Sequence, residues 1–405
     1  MSNLFKYKLG KPVASICVAM AISAGMADVC WAGTGLYTTG YGTREQGMGG
    51  VGIATGESGL APAVNPAGIA FSGDRLDIGG GLLIINAGST SNGTTYAGKT
   101  GFVPLPEFGY VHSLSPSLVF GVASWTSGAQ IDYGTPFGSI PGNSDTSAQA
   151  IFLHVAPTAA YRFGLGGQKN NAISLALVGA LSTLDAKGIE AQTSQSNQGR
   201  AWAPGYGFKV GWMSQITSQF ALGAFYSSKI SYSSWSRYSK IFADGARFEE
   251  PEQYGIGVAF RPTPKWLLGF DWIRFNYGDT HVLGNPVTFA EPLGSPNGAG
   301  QGFNNINAYR FGVQYDLTDR ITVRGGFEYT DQLMSSDNTG FGFLVPVPAN
   351  RTYTLGGTYK IDKSSALSFS WAISPRVQVT GTGISTGANP YAQDNVISFS
   401  YTKRL

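Results

Sequence analysis

The stretch Tyr309-Arg310-Phe311-Gly312-Val313-Gln314-Tyr315-Asp316-Leu317 contains two interleaved patterns. Tyr309, Phe311, Val313, Tyr315 and Leu317 are apolar or aromatic, while Arg310, Gly312, Gln314 and Asp316 are polar or small. Successive side chains of a strand point to opposite faces, so this period of two predicts a β-strand with one apolar and one polar side. The next stretch repeats it, with Ile321, Val323, Phe327 and Tyr329 against Thr322, Arg324, Gly326 and Glu328. Tyr254, Ile256, Val258 and Phe260 alternate in the same way, as do Tyr353, Leu355 and Tyr359 against Thr352, Thr354 and Thr358. A soluble sandwich would hide the apolar faces inside, whereas a membrane barrel turns them out to lipid and keeps a polar lumen.

The connections decide between the two. Fourteen strands are predicted, beginning near Leu76, Leu105, Leu118, Gln149, Ala172, Tyr206, Phe220, Gln253, Trp266, Ala308, Ile321, Thr352, Leu367 and Val396. Short connections fall at 115–117, 166–170, 215–219, 262–265, 318–320 and 360–364, and long Gly/Ser/Asn-rich ones, such as 277–304 and 332–350, lie between them. An even strand number with short turns at one end and long loops at the other is the pattern of an outer-membrane barrel. In lipid, closed barrels satisfy every backbone group without helices. Ile397, Phe399, Tyr401 and Leu405 alternate with polar residues up to the last position, as closure onto the first strand requires. Trp266, Trp272 and Tyr359 fit an interfacial aromatic belt, or ordinary β-propensity. The expected fold is all-β, a 14-stranded antiparallel transmembrane β-barrel over residues 75–405.

Composition agrees. The 405 residues include 57 Gly, 42% hydrophobic and only 13% charged residues, which excludes disorder and suits a surface that does not face water. A net charge of +3, scattered along the chain, predicts no nucleic-acid partner. Lys6, Lys8 and Lys11, the apolar run Val13 to Ala27 and the group Cys30-Trp31-Ala32 predict a signal peptide over residues 1–32. The run is short for a spanning helix, which needs ~20 residues; an uncleaved anchor is the alternative. Cleavage after Ala32 would remove both cysteines, Cys17 and Cys30, so neither disulfides nor Cys-bound metal are expected to support the fold.

Residues 33–74 differ from the rest. They include Gly47-Met48-Gly49-Gly50-Val51-Gly52-Ile53-Ala54, carry few charges and show no sustained alternation. A barrel of this strand number encloses more space than its own side chains fill. A compact small-residue segment suits that space, and a loose tail is the alternative. His112, His154 and His281 have no metal-ligand spacing, and no Ser or Asp stands in a recognisable nucleophile context. The chain therefore reads as no enzyme, with no cofactor and no metal. A barrel hydrolase and a polar-solute diffusion porin are the competing classes; the first needs a triad, the second a charged constriction without a plug. Arg310, Arg324, Glu328 and Asp271 read as lumen residues pairing with one another or with the plug, or, for an arginine, with a substrate carboxylate.

Three segments in order resemble the FadL/TodX family of outer-membrane transporters of long-chain fatty acids and aromatic hydrocarbons. They are Asn65-Pro66-Ala67 followed by Gly68; Pro251-Glu252 opening a strand that leads to Trp266 and Asp271-Trp272; and Asn307 to Val313 followed by Arg324-Gly325-Gly326-Phe327. The resemblance implies a monomeric barrel in the outer membrane of a Gram-negative cell, both termini on the periplasmic side, with residues 33–74 as an N-terminal hatch. It implies passive uptake of hydrophobic small molecules, long-chain fatty acids first and aromatic hydrocarbons as the alternative, with sideways exit to membrane lipid. Asn65, Pro66 and Ala67 then form the hatch motif, and a kink in the third strand opens the wall beside it.

Gly128, in Thr126-Ser127-Gly128-Ala129, is the expected position of that lateral opening, because glycine in a strand marks a bulge or a close backbone approach. An ordinary strand glycine is the other reading. The main chain at Gly128 is expected to crowd Asn65-Pro66-Ala67, with the Asn65 amide serving wall groups that the kink leaves unpaired. The chain also departs from the family: the loops near 188–202 and 239–251 are short, the acidic pair before the motif is reduced to Glu57-Ser58, and Leu405 replaces a terminal aromatic.

Overall fold

The computed structural model describes residues 34–164, 169–194, 198–288, 290–347 and 350–405; the expected signal peptide and Gly33 lie outside them. All strand segments belong to one antiparallel sheet. We number its fourteen staves β1 Arg75–Ser91, β2 Gly101–Ser113, β3 Leu118–Asp132, β4 Ser147–Phe163, β5 Asn171–Lys187, β6 Ala201–Gln215 and β7 Phe220–Ser227, the last continued by Ile230–Ser234. Then follow β8, in two pieces, Arg247–Glu250 and Gln253–Phe260, β9 Trp266–Phe275, β10 Ile306–Asp316, β11 Ile321–Thr330, β12 Arg351–Lys360, β13 Ser365–Gln378 and β14 Tyr391–Arg404. A small strand, Thr94–Ala97, folds back on the C-terminal end of β1. The sheet closes on itself, β14 pairing with β1 from Arg75 opposite Arg404 to Gly88 opposite Tyr391.

The faces are those of a membrane barrel. Phe311 is 53% and Leu355 52% exposed, while Arg310 is 3% and Glu328 0% exposed on the inner side. A sandwich would show the reverse. The outward aromatics meet across strands: Phe270 and Phe311 stand directly opposite, ring centroids 4.7 Å apart, as do Phe369 and Phe399 at 5.2 Å. Such cross-strand pairs each add a few tenths to ~1 kcal/mol to a ladder.

One end carries the tight turns, and four of them share a device. Thr318 Oγ1 accepts from the N–H groups of Arg320 (3.2 Å) and Ile321 (3.0 Å), and Thr217 does the same for Gln219 and Phe220. Asp362 Oδ1 accepts from Ser364 and Ser365 N–H, and Ser115 Oγ from Ser117 and Leu118 N–H. A side-chain oxygen thus replaces a ladder partner where each strand reverses. Leu405 N donates to Asp74 O (3.1 Å) at this same end. The long connections lie at the other end, where Tyr277, Phe303, Leu333 and Met334 are buried.

Residues 34–74 pack on the inner face of the staves. The glycine run lies closest to it: a Cβ on Gly312 would come within 2.5 Å of Met48 O, and one on Gly356 within 2.9 Å of Gly47 Cα. Gly49 has φ +69°, and a Cβ there would strike the main chain of Phe311 and Phe327. Glycines on both sides therefore let two backbones touch, which no side chain permits.

Candidate functional site

The hydrogen-bond ladder is incomplete between β2 and β3. Their pairing runs only from Ser113 opposite Val119 to Phe108 opposite Ser124. Beyond that point β2 stays paired with β1 as far as Gly101, and β3 stays paired with β4 as far as Asp132. Residues 101–107 and 125–131 therefore border a window, each held by its other neighbour. Lys99 N donates to Asp132 O (2.7 Å) and Lys99 Nζ pairs with Asp132 (3.0 Å), closing the window at the long-loop end.

The sequence supplies a cause on each edge. Thr126 Oγ1 donates to Pro106 O (3.3 Å), so the carbonyl of Pro106 faces β3. In an antiparallel strand a residue's N–H points the same way as its C=O, and Pro104 shares that parity. Of the three residues of this stretch that face β3, Phe102, Pro104 and Pro106, the two prolines thus lack the donor a ladder needs. On the other edge the inward–outward alternation fails, with Trp125 2%, Thr126 3% and Ser127 1% exposed in succession. Gly128 comes next. A Cβ there would lie 2.8 Å from Ala150 O on β4 and 3.5 Å from Val103 Cγ1 across the window.

Behind the window stands the N-terminal segment, at Tyr41 and Gly42. The Tyr41 ring lies 5.9 Å from Trp125, and Gly42 N donates to Glu107 Oε1 (3.0 Å). Trp125 stacks on His154 at 5.0 Å, and Lys209 Nζ is 5.3 Å from the Trp125 ring and 2.5 Å from Ala63 O. His154 Nε2 meets Glu250 Oε1 (2.8 Å), which also accepts from Tyr232 Oη (2.6 Å). A cavity adjoins this cluster, lined by residues 35–39, by Gly128 to Gln130 and by Asp394 and Val396 of β14.

Asn65, Pro66 and Ala67 sit elsewhere. Asn65 caps the short turn Pro66–Gly68, its Oδ1 accepting from Ala67 N (3.1 Å) and its Nδ2 donating to Ile53 O (2.7 Å) and Trp212 O (3.0 Å). Pro66 sets φ at the first position of that turn. The motif docks on β6 and β7, where Gly211 and Gly223 leave the space: a Cβ on Gly211 would overlap Asn65 Oδ1, and one on Gly223 would lie 3.1 Å from Asn65 Nδ2. The expected crowding of Gly128 against Asn65-Pro66-Ala67 is therefore corrected. The amide serves Trp212 of β6, which is paired on both sides, with Ile173 of β5 and Ala224 of β7, and Tyr41-Gly42 stands at the window instead. The β3 wall meets the segment lower down, Gly121 lying against Ile69.

Charged groups tie the segment to the wall. Asp271 Oδ2 accepts from Gly52 N (2.7 Å) and Ile53 N (3.0 Å), and Asp77 Oδ2 from Gly59 N (2.7 Å). Arg310 pairs with Glu328 (2.6 Å), which also accepts from Thr39 Oγ1 (2.6 Å). Arg324 donates to Gln314 and Thr358. Glu57 pairs with Arg44 (2.8 Å) and Arg261. Burial pushes the Glu57 carboxyl up, but the guanidinium groups of Arg44, Arg261 and Arg324 outweigh it and hold the carboxyl below its ordinary value. Glu45 differs: burial pushes it up to about 7, with Arg44 opposing only in part.

The sequence profile of the outer membrane protein transport protein family (OMPP1/FadL/TodX) matches residues 30–393. The chain belongs to the FadL/TodX family. Solved structures of similar fold include the Pseudomonas putida toluene transporter TodX, 18% identical with TM-score 0.66, covering 92% of this chain and 100% of that one. The Ralstonia pickettii toluene transporter TbuX is 17% identical with TM-score 0.64, over 91% and 99%. A Pseudomonas aeruginosa FadL homologue is 13% identical with TM-score 0.66, over 92% and 100%. No curated protein sequence matches the chain. This FadL/TodX member is an outer-membrane barrel of a transport family. Sequence reasoning looked for the opening at a glycine. It missed Pro104 and Pro106, whose spacing on one face was the stronger signal, and it missed Asp394.

Proposed function

We propose that the protein takes up hydrophobic small molecules and releases them sideways, through the window between β2 and β3, into outer-membrane lipid. The missing ladder between 101–107 and 125–131 carries this reading. Residues 34–74 act as the hatch, with Asn65-Pro66-Ala67 holding it to β6 and β7. The long loops face outward, both termini lie on the periplasmic side, and the barrel works as a monomer.

The energetics favour the sideways route. Straight passage would break the buried contacts of Asp271, Glu328 and Asp77 with the segment and deliver the solute to water. Sideways passage keeps the solute out of water, at ~25 cal/mol per Å² of apolar surface. Long-chain fatty acids are the first substrate class to test, and aromatic hydrocarbons, suggested by the toluene transporters of similar fold, are the second. The experiment is uptake of a labelled long-chain fatty acid and of toluene by cells that lack their own transporter and express this chain. Accumulation above the empty-vector rate is expected for at least one of them. Accumulation of neither, with the barrel folded in the outer membrane, would overturn the reading.

A further inference from the structure

The cavity behind the window has apolar walls and a single carboxyl group. Leu36, Leu83, Ile85, Leu344, Val345 and Val396 supply the apolar surface. Its ionisable lining groups are Tyr37 and Asp394, with no Lys, Arg or His among the described residues that line it. Tyr37 is already engaged, its Oη donating to Glu250 Oε2 (3.1 Å). Asp394 is not: it stands on β14 between Ile85 of β1 and Ser374 of β13, and its Oδ1 is buried without a hydrogen-bond partner. The neighbouring Ser374 hydroxyl is 3.1 Å from Thr352 Oγ1, which in turn meets Thr39. Gly128 to Gln130, the open edge of β3, border the same cavity.

A buried acceptor without a donor is destabilising until a donor arrives. We propose that this cavity is built for uncharged apolar molecules bearing one hydrogen-bond donor, a phenol or an alcohol, with the donor on Asp394 and the apolar body against Leu83, Ile85 and Val396. This rests on the uptake function proposed above and names the head group that function selects. Other head groups fit less well. A carboxylate would place a second acid beside Asp394 with no cation to hold the pair, and two such groups cannot both ionise without penalty. The lumen cations are committed elsewhere, Lys209 to Ala63 O and Arg310 to Glu328. A plain hydrocarbon leaves Oδ1 unpaired, the situation in which polar sites discriminate most strongly. An ammonium group would pair with Asp394 but carry its charge into lipid on leaving. A neutral donor satisfies the acceptor and leaves as an apolar solute.

The test is equilibrium dialysis of the full-length protein in detergent micelles at pH 8, corrected for partitioning into empty micelles. The probes are 4-ethylphenol, ethylbenzene, 1-decanol, decanoate and decylammonium. 4-Ethylphenol is expected to bind at least about tenfold more tightly than ethylbenzene, the worth of a hydrogen bond to a buried carboxyl group. Asp394→Leu is expected to bring that ratio to about parity. 1-Decanol is expected to bind about tenfold more tightly than decanoate, and Asp394→Asn, which keeps an acceptor and removes the acid, to narrow the gap. The natural protein's own ratios decide the matter if the Leu variant does not fold. Equal binding of 4-ethylphenol and ethylbenzene, an unchanged ratio in a folded Asp394→Leu, or tighter binding of decanoate than of 1-decanol would each overturn the inference. Any of these leaves hydrophobic uptake standing; only absence of binding of all five probes together with absence of cellular uptake removes both.

Discussion

The hydroxyl of Thr126 donates to the main-chain carbonyl of Pro106 at 3.3 Å, across the place where β2 and β3 part. A side chain here does what a backbone N–H does elsewhere in the wall. Proline cannot donate, so a wall carrying proline at this parity cannot zip shut, and the threonine satisfies one carbonyl that the parted strands would leave open.

That arrangement makes the prolines the first target. The double variant Pro104→Val/Pro106→Val restores two donors facing β3 and is expected to extend the ladder past Phe108 and narrow the window. Hydrogen exchange at residues 102–107 should slow and uptake of labelled substrate should fall several-fold. Slower exchange with unchanged uptake would show that the window is not the route.

Gly128→Glu attacks the other edge. Its side chain would start 2.8 Å from Ala150 O and point toward Val103. Uptake is expected to drop to the vector rate while the barrel keeps its heat-resistant migration on gels, because the strain falls on one place, Gly128 opposite Ile151, in a β3–β4 ladder that runs from Leu118 to Asp132. Normal uptake of both fatty acid and toluene by a well-expressed variant would rule out exit at this place.

Asn65 is expected to keep the lumen shut to polar solutes. Sugar-driven swelling of liposomes containing the natural protein should be slow compared with an open porin. Asn65→Ala leaves Ile53 O without its donor, a loss of ~1–3 kcal/mol for that unsatisfied group, and removes the contact of the segment with Trp212 O. Swelling should rise in that variant. Porin-like swelling by the unaltered protein would favour the diffusion-porin class.

Glu45 gives the seated segment a pH dependence. Its carboxyl is raised to about 7 by burial, so the seated state binds the proton more tightly than an unseated one whose carboxyl titrates near 4.5. The favourable contribution is complete below pH 4.5 and is lost as pH rises through about 7. Arg44, Arg75, Asp77, Glu107 and Arg324 are charged groups that interact with it. Amide exchange over residues 46–50, corrected for intrinsic rates, should be faster at pH 8 than at pH 5.5, and Glu45→Gln should remove the difference. An identical pH response in that variant would place the titration elsewhere.

By itself the sequence determined the barrel. Period-two alternation assigns each side chain to a face whatever strand lies beside it, and alternating turn and loop lengths mark the two ends. Lipid then admits no open sheet, so closure follows. The local turn at Asn65-Pro66 was equally legible, since an Asn cap and a proline act within four residues. Tertiary structure decided where that turn docks, because Gly211 and Gly223 make room for it from strands far away in the chain. It also decided which two strands part, since a proline breaks a ladder only when its empty side faces the neighbour. Asp394 shares the parity of the inward Val396 and Ser398, but only the meeting of β1, β3, β13, β14 and residues 344–347 left its oxygen without a partner. Facing is a property of one strand; being paired or unpaired belongs to the groups that several distant segments bring together.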